Sequence, residues 1–356
     1  MRHDAPRRVS AGGRRGRVPR GGSAPFVPFV SRPLLLTVRG AAAAVFAPAS
    51  RRVVGKFSGR PRRGVVGCAA VRHTVTVGPD YELWAEERGD ADAPPLLLIM
   101  GANYSGMAWP EPLLERLASR HRVIRYDHRD TGRSSRAFDV APYAITDLAE
   151  DAVAVLDAFG IDRAHVVGMS LGGILVQLLL LDHPDRLRSA TVFATSALGG
   201  VLPESGELPG PDSRILDLWQ RMGEERDPAD ELAWRVEHWW MLNGDVLPFD
   251  PEEFRALEQR LAEHAGTHVA DTAHARAEVG GLDRAAELAS VTTPTLVIEA
   301  PADPVNPPPH AEHLETVIGR SHRVLVPGMG HALSGAVLEP LSEAILRHTA
   351  AVDRDS

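Results

Sequence analysis

The 356-residue chain is 44% hydrophobic and 24% charged, ordinary values for a folded soluble protein, and no apolar run reaches the roughly 18 residues that a membrane-spanning helix needs. Its single cysteine, Cys68, excludes an intramolecular disulfide and any multi-cysteine metal site. The net charge of -8 hides an asymmetry: residues 1–72 carry 15 arginines and Lys56 against one acid, Asp4, which puts +15 in the tail and -23 in the remainder.

Residues 1–71 read as a disordered basic extension. They are built from Arg, Gly, Ala, Pro and Val, and Lys56 is the only lysine in the chain. A GC-rich coding strand yields such residues in almost any frame, so this segment is expected to be upstream sequence translated from a misplaced start. A nucleic-acid arm and an export signal are the alternatives. Ala47-Pro48-Ala49 has the form of a cleavage site, but Arg39 interrupts the apolar stretch before it. The expected location is therefore cytoplasmic, with export through the extension as the alternative. Neither nucleic acid nor membrane is an expected partner, and the oligomeric state is left open.

From residue 72 the elements follow in order. Residues 73–77 and 81–86 alternate as two strands around Gly78-Pro79-Asp80, an opening hairpin. Residues 96–100 form a continuous apolar run closed by Gly101, the pattern of a strand buried on both faces. A helix is expected over 110–119, a strand over 121–126, a helix from about Thr146 to Phe159 closed by Gly160, and a strand over 164–169. A helix over 171–182 and a strand over 187–193 come next. Residues 196–288 break the alternation; they open with a Gly/Pro-rich link and continue as mostly helical sequence holding Trp219, Trp234, Trp239 and Trp240. Strand 294–299, helix 309–318, strand 322–326 and a helix over about 335–349 finish the chain. This order implies an α/β fold, a mainly parallel sheet with helices on both faces. The expected organisation is a core of residues 72–195 and 289–352 with a helical lid of residues 196–288.

Val166-Val167-Gly168-Met169-Ser170-Leu171-Gly172-Gly173 is the stretch around which the chemistry gathers. A serine boxed by glycines between a strand and a helix is the nucleophile elbow, where small neighbours let the serine take a strained backbone. A serine hydroxyl is a weak nucleophile, so it needs a base and a group to hold that base in the right tautomer. Active-site groups in such sheets sit at the carboxyl ends of strands. Asp303 follows the strand ending at Glu299, and His331 follows the strand ending near Val326, which gives the order Ser, Asp, His. Glu299 is the competing carboxylate, but it belongs to the strand itself. The oxyanion of an acyl-transfer intermediate needs two N–H donors; those of Leu171 and Ala102 are the candidates.

The chain resembles α/β-hydrolases of the aclacinomycin methylesterase type. The resemblance lies in the elbow, in Leu97-Leu98-Ile99-Met100-Gly101-Ala102-Asn103, in Val123-Ile124-Arg125-Tyr126-Asp127-His128-Arg129-Asp130-Thr131-Gly132-Arg133-Ser134 and in Pro327-Gly328-Met329-Gly330-His331-Ala332. It covers about residues 72–350 and continues at Leu242-Asn243-Gly244, Pro248-Phe249-Asp250 and His264-Ala265-Gly266, although the insertion otherwise diverges. It implies a serine esterase that removes a methyl ester from an anthracycline-type polyketide. The residues themselves point to a hydrophobic ester under an apolar lid, with Asn103, Trp239 and Trp240 as candidate substrate contacts. Cleavage of carbon–carbon or amide bonds, perhydrolysis and slow-turnover ligand binding are the alternatives. No phosphate loop, metal-ligand cluster or cofactor motif is visible, so neither metal nor cofactor is expected.

Overall fold

The computed structural model describes residues 70–79, 81–200, 208–269 and 272–355. The expectations for the basic extension and Cys68 fall outside the described residues. Strands β1 (Val71–Val77) and β2 (Tyr81–Arg88) form the antiparallel hairpin. β1 starts at Val71, opposite Glu87, so the sheet begins inside the last residue assigned to the extension. β2 also runs antiparallel to β4 (Arg122–Tyr126), a pairing that no local pattern announces. From β4 the sheet is parallel through β3 (Pro95–Ile99), β5 (Ala164–Met169), β6 (Leu187–Phe193), β7 (Thr295–Glu299) and β8 (Ser321–Leu325).

The continuous apolar runs are explained by two-sided burial. In β3, Leu97 and Ile99 join a core with α2 (Ile145–Ala158) and α3 (Leu171–Asp182), while Leu96 and Leu98 join the opposite core with α1 (Glu111–Ala118) and α9 (Leu338–Asp355). All four side chains are fully buried because successive strand residues face opposite sides and both sides are covered. Helix α3 is apolar all round, and every residue from Leu171 to Leu180 is buried. That is the signature of a helix enclosed by its neighbours rather than lying on a surface.

Between β6 and β7 the chain is helical: α4 (Ser213–Gln220), α5 (Pro228–Asn243), α6 (Pro251–Ala265) and the short α7 (Ala273–Arg276). Asp212, Asp227 and Asp250 each accept first-turn N–H groups of α4, α5 and α6, which is why these helices start where they do. This stretch divides in its packing. Ile215, Leu242, Phe254 and Leu257 join the α1/α9 core, whereas Ala273, Ala277, Leu282 and Leu288 join the α2/α3 core. After β7 comes α8 (His310–Val317). The last helix begins at Leu338 after a 3-10 turn and runs to Asp355, beyond the expected end near Thr349. Asp353 holds that end to the sheet through His165 Nε2 at 3.1 Å and Arg188 at 2.9 Å.

Two buried polar features contribute to the stability of this frame. Arg125 on β4 reaches Glu86 on β2 with Nη2 at 2.6 Å and Nε at 2.9 Å, and both side chains are 2% exposed. Burial would raise the Glu86 pKa, but Arg125 and Arg88 outweigh it and hold the carboxylate below its usual range. Arg125→Met is expected to lower stability by about 3 kcal/mol, the lower end for breaking a buried pair because Arg88 stays on Glu86. Urea unfolding of the two proteins measures it. Burial also pushes His165 and His348 down to about 4, so both are neutral when folded. The unfolded chain protonates them near pH 6.5, and their contribution, complete above that pH, is lost progressively as pH falls towards 4. The urea midpoint at pH 5 should lie below that at pH 7; equal midpoints would contradict the assignment.

Candidate active site

Strand β5, buried along its whole length, delivers Ser170 at the carboxyl edge of the sheet. Ser170 has φ 55° and ψ -120°, and α3 starts at the next residue. The glycines around it are sites of backbone contact. A Cβ on Gly168 would lie 2.2 Å from the Gly172 carbonyl oxygen, and one on Gly172 would lie 2.1 Å from that of Ile99. The Ser170 N–H donates to the Phe193 carbonyl at 3.1 Å, which ties the elbow to β6. Leu171 is the first residue of α3, so its N–H has no carbonyl one turn back and stands free at a helix N-terminus.

The loop after β3 carries the second expected donor. Among the described residues the Ala102 N–H has no protein acceptor, whereas that of Asn103 donates to His274 Nδ1 at 2.9 Å. Gly101 lies close to the serine: a Cβ there would sit 3.2 Å from Cβ of Ser170, a tight contact.

Asp303 lies in the turn after β7, buried at 2% exposure. Its Oδ1 accepts the N–H groups of Val305 at 2.7 Å and Asn306 at 3.0 Å, and both carboxylate oxygens lie 3.0 Å from His331 Nδ1. Burial would raise its pKa, but His331 and the two backbone donors win and lower it, so the group is ionised. Glu299, the competing carboxylate, points to β8 and pairs with Arg323 at 2.6 Å. His331 is seated by its backbone: its N–H donates to the Leu242 carbonyl at 2.7 Å at the end of α5, and a Cβ on Gly330 would strike the Asn243 carbonyl at 2.2 Å. With Nδ1 given to Asp303, Nε2 carries the lone pair. No hydrogen bond joins Oγ of Ser170 to His331 among the described residues; the two side chains line one cavity of about 240 Å³.

The cavity wall is largely apolar, with Trp219, Met222, Trp234, Trp239, Leu242 and Phe254 from the helical stretch. Ala102, Asn103 and Leu171 line it too. Trp239 packs on Tyr104 and Phe254, and its Nε1–H donates to Glu258 at 2.6 Å. Trp240, proposed from the sequence beside it, is a correction: it is 51% exposed and outside the cavity wall. Successive residues of a helix point about 100° apart, and here the turn that faces Trp239 inward carries Trp240 to the surface.

Two more histidines reach the cavity without having been singled out in the sequence. His238 on α5 accepts the Trp219 indole N–H on Nε2 at 2.9 Å, which leaves the proton on Nδ1, a nitrogen with no protein partner among the described residues. Burial, with His331 and Arg235 nearby, pushes it down to about 3. His274 on α7 accepts from Asn103 on Nδ1 and donates from Nε2 to the Arg129 carbonyl at 3.1 Å; burial, with His128 adding, also takes it to about 3. In both rings the basic nitrogen is occupied by an N–H donor, and neither has a carboxylate partner. Of the three, only His331 has an open basic nitrogen with an ionised acid behind the ring. The sequence holds 15 histidines, and no spacing rule separates these from the rest.

The helical stretch is tied to this site at its far end as well. His264 at the end of α6 lies 2.6 Å from Asp127, which also accepts the N–H groups of Gly106 and Arg133 at 2.8 Å each. Among the described residues no group of three His, Cys, Asp or Glu side chains is placed to hold a metal ion, and no helix is long and apolar enough to cross a membrane.

Comparison with known proteins agrees with this architecture. A rhodomycin D methylesterase of Streptomyces peucetius is 47% identical over 290 residues, covering 76% of this chain and 96% of the relative. A putative carbamate hydrolase of Variovorax paradoxus is 34% identical over 258 residues, covering 70% and 89%. Among solved structures, a hydrolase from Pseudomonas aeruginosa superposes with TM-score 0.60 at 28% identity, covering 78% of this chain and 97% of that one. A bromoperoxidase from Bacillus anthracis, at 22% identity, superposes with TM-score 0.64 over 79% and 100% and speaks to the fold alone. With the family model of the alpha/beta hydrolase fold matching residues 94–334, this chain belongs to the α/β-hydrolase family.

Proposed function

We propose that this protein is a serine hydrolase that cleaves a carboxylic ester, specifically a methyl ester, of a hydrophobic small molecule. The observation that carries the reading is the buried Asp303–His331 pair beside a strained Ser170 in one apolar cavity. The methylesterase named at 47% identity supports the ester chemistry and the methyl leaving group.

In this reading Oγ of Ser170 attacks the ester carbonyl carbon while His331 Nε2 takes its proton. Asp303 holds Nδ1–H and stabilises the imidazolium that forms. The carbonyl oxygen, now negative, receives the N–H groups of Ala102 and Leu171. Collapse breaks the bond to the alkoxy oxygen, which leaves as methanol with the proton from His331. Water, deprotonated by the same nitrogen, then releases the acid from Ser170. No metal or cofactor is called for, and the smallness of methanol leaves the cavity volume to the acyl part. The helical stretch between β6 and β7 serves as the lid, its tryptophans forming the apolar wall against which that acyl part rests.

Ser170→Ala is expected to abolish turnover of a short-chain aryl ester above the uncatalysed rate; retained turnover would sink the proposal. Asp303→Asn leaves the shape but gives His331 the wrong tautomer, and should lower kcat by about 10³- to 10⁴-fold with KM little changed. Steady-state kinetics on methyl esters of polycyclic acids, set against longer alkyl esters and matched amides, tests the substrate class. Preference for the amides or the longer esters would refute the methyl-ester assignment.

A further inference from the structure

The geometry points to a positioning role for His128 and His274: the two imidazoles pin the peptides on either side of the one that carries the Ala102 N–H. The kinetic consequence rests on the ester-hydrolase reading above, in which that N–H receives the oxyanion.

Three consecutive peptide units make up this loop. The first carries the Met100 carbonyl, the second the Gly101 carbonyl and the Ala102 N–H, and the third the Ala102 carbonyl and the Asn103 N–H. His128 Nε2 lies 2.9 Å from the Met100 carbonyl oxygen and holds the first unit. His274 Nδ1 receives the Asn103 N–H at 2.9 Å and holds the third. Among the described residues the middle unit has no protein acceptor for its N–H.

Such a unit needs holding. Residue 101 is glycine in a tight place, a Cβ there lying 3.2 Å from Cβ of Ser170, and glycine has the widest choice of φ and ψ of any residue. Asn103 adds a left-handed φ of 62°, which asparagine tolerates better than most residues. Turning the middle peptide over would swing the Ala102 N–H out of the cavity. The two imidazole bonds hold the flanking units, and with them the line from Cα of Gly101 to Cα of Ala102 on which the middle peptide hangs, which sets where the Ala102 N–H sits relative to the cavity.

The tautomers are set unambiguously. A carbonyl oxygen can only accept, so His128 donates from Nε2; its Nδ1 is buried with no partner, and the ring makes this one hydrogen bond. His274 donates from Nε2 to the Arg129 carbonyl at 3.1 Å, which leaves Nδ1 free to accept. Arg129 is itself fixed by two bonds to Asp151, at 2.7 and 2.6 Å. The two rings meet edge to face at 5.4 Å, and burial disfavours the charged form of both, which keeps His274 Nδ1 able to accept the Asn103 N–H. His274 belongs to the helical stretch, so that stretch shapes the oxyanion loop as well as the cavity wall.

His274→Phe keeps an aromatic ring but cannot accept the Asn103 N–H. His274→Gln keeps both bonds, through its carbonyl oxygen and its amide. On a short-chain aryl ester, His274→Phe should lower kcat about 100-fold with KM within about threefold, and His274→Gln should recover most of the loss. An unchanged kcat in His274→Phe, an equal loss in both variants, or a loss confined to KM would overturn the role. Amide hydrogen exchange at Asn103 reads the bond in the unmodified protein whether or not a variant folds: slow exchange is expected, and fast exchange overturns the proposal. Wild-type protein that cleaves no ester would defeat the function proposed above and with it the role of the Ala102 N–H, while slow exchange at Asn103 would still leave the loop clamp standing.

Discussion

Ser170 is held at φ 55° and ψ -120°, a backbone state that costs on the order of 1–3 kcal/mol and persists only when everything around it leaves no alternative. The constraint is close backbone packing. Gly168, Gly172 and the end of β3 approach until no Cβ fits between them, and the Ser170 N–H is bonded across to β6. Three parallel strands, β3, β5 and β6, therefore meet at one turn. β5 brings the serine, the loop after β3 brings Ala102, and the first turn of α3 brings the Leu171 N–H. Loosening any of these strands would relax the turn and disperse the three groups together.

The second theme is the tautomeric state of buried imidazoles. His128, His238 and His274 are pushed towards neutrality by burial, and His238 and His274 each have their lone-pair nitrogen taken by an N–H donor. Burial disfavours the protonated form of all three. His331 differs because a buried, ionised carboxylate sits behind it, so its proton is fixed on the far nitrogen and the near one is open. Burial and hydrogen-bond direction distinguish His331 from these neighbours, although all of them line or adjoin the same cavity.

The helical stretch between β6 and β7 is more than a cover. It receives the His331 N–H on the Leu242 carbonyl, pairs His264 with Asp127 and bonds His274 to Asn103. Its last residues, from Ala273 to Leu288, are part of the α2/α3 core. The cavity wall, the backbone of His331 and the loop after β3 thus share contacts with this one stretch.

Local sequence determined the strands, the elbow and the order of serine, acid and histidine. Those follow from the alternation of apolar residues, the period of the helices and glycines at fixed spacing, all properties of neighbouring residues. It also favoured Asp303 over Glu299, since a strand residue is committed to its sheet; the Arg323 contact supplies the reason. Tertiary structure alone decided the rest. The β2–β4 pairing joins segments more than thirty residues apart and leaves no periodic trace. Of the adjacent tryptophans, helix rotation turned Trp239 inward and Trp240 out. His238 and His274 acquire their roles only from partners far along the chain, Asn103 lying 171 residues from His274. Hydrogen-bond direction and burial are relations between distant residues, and no spacing in one dimension encodes them.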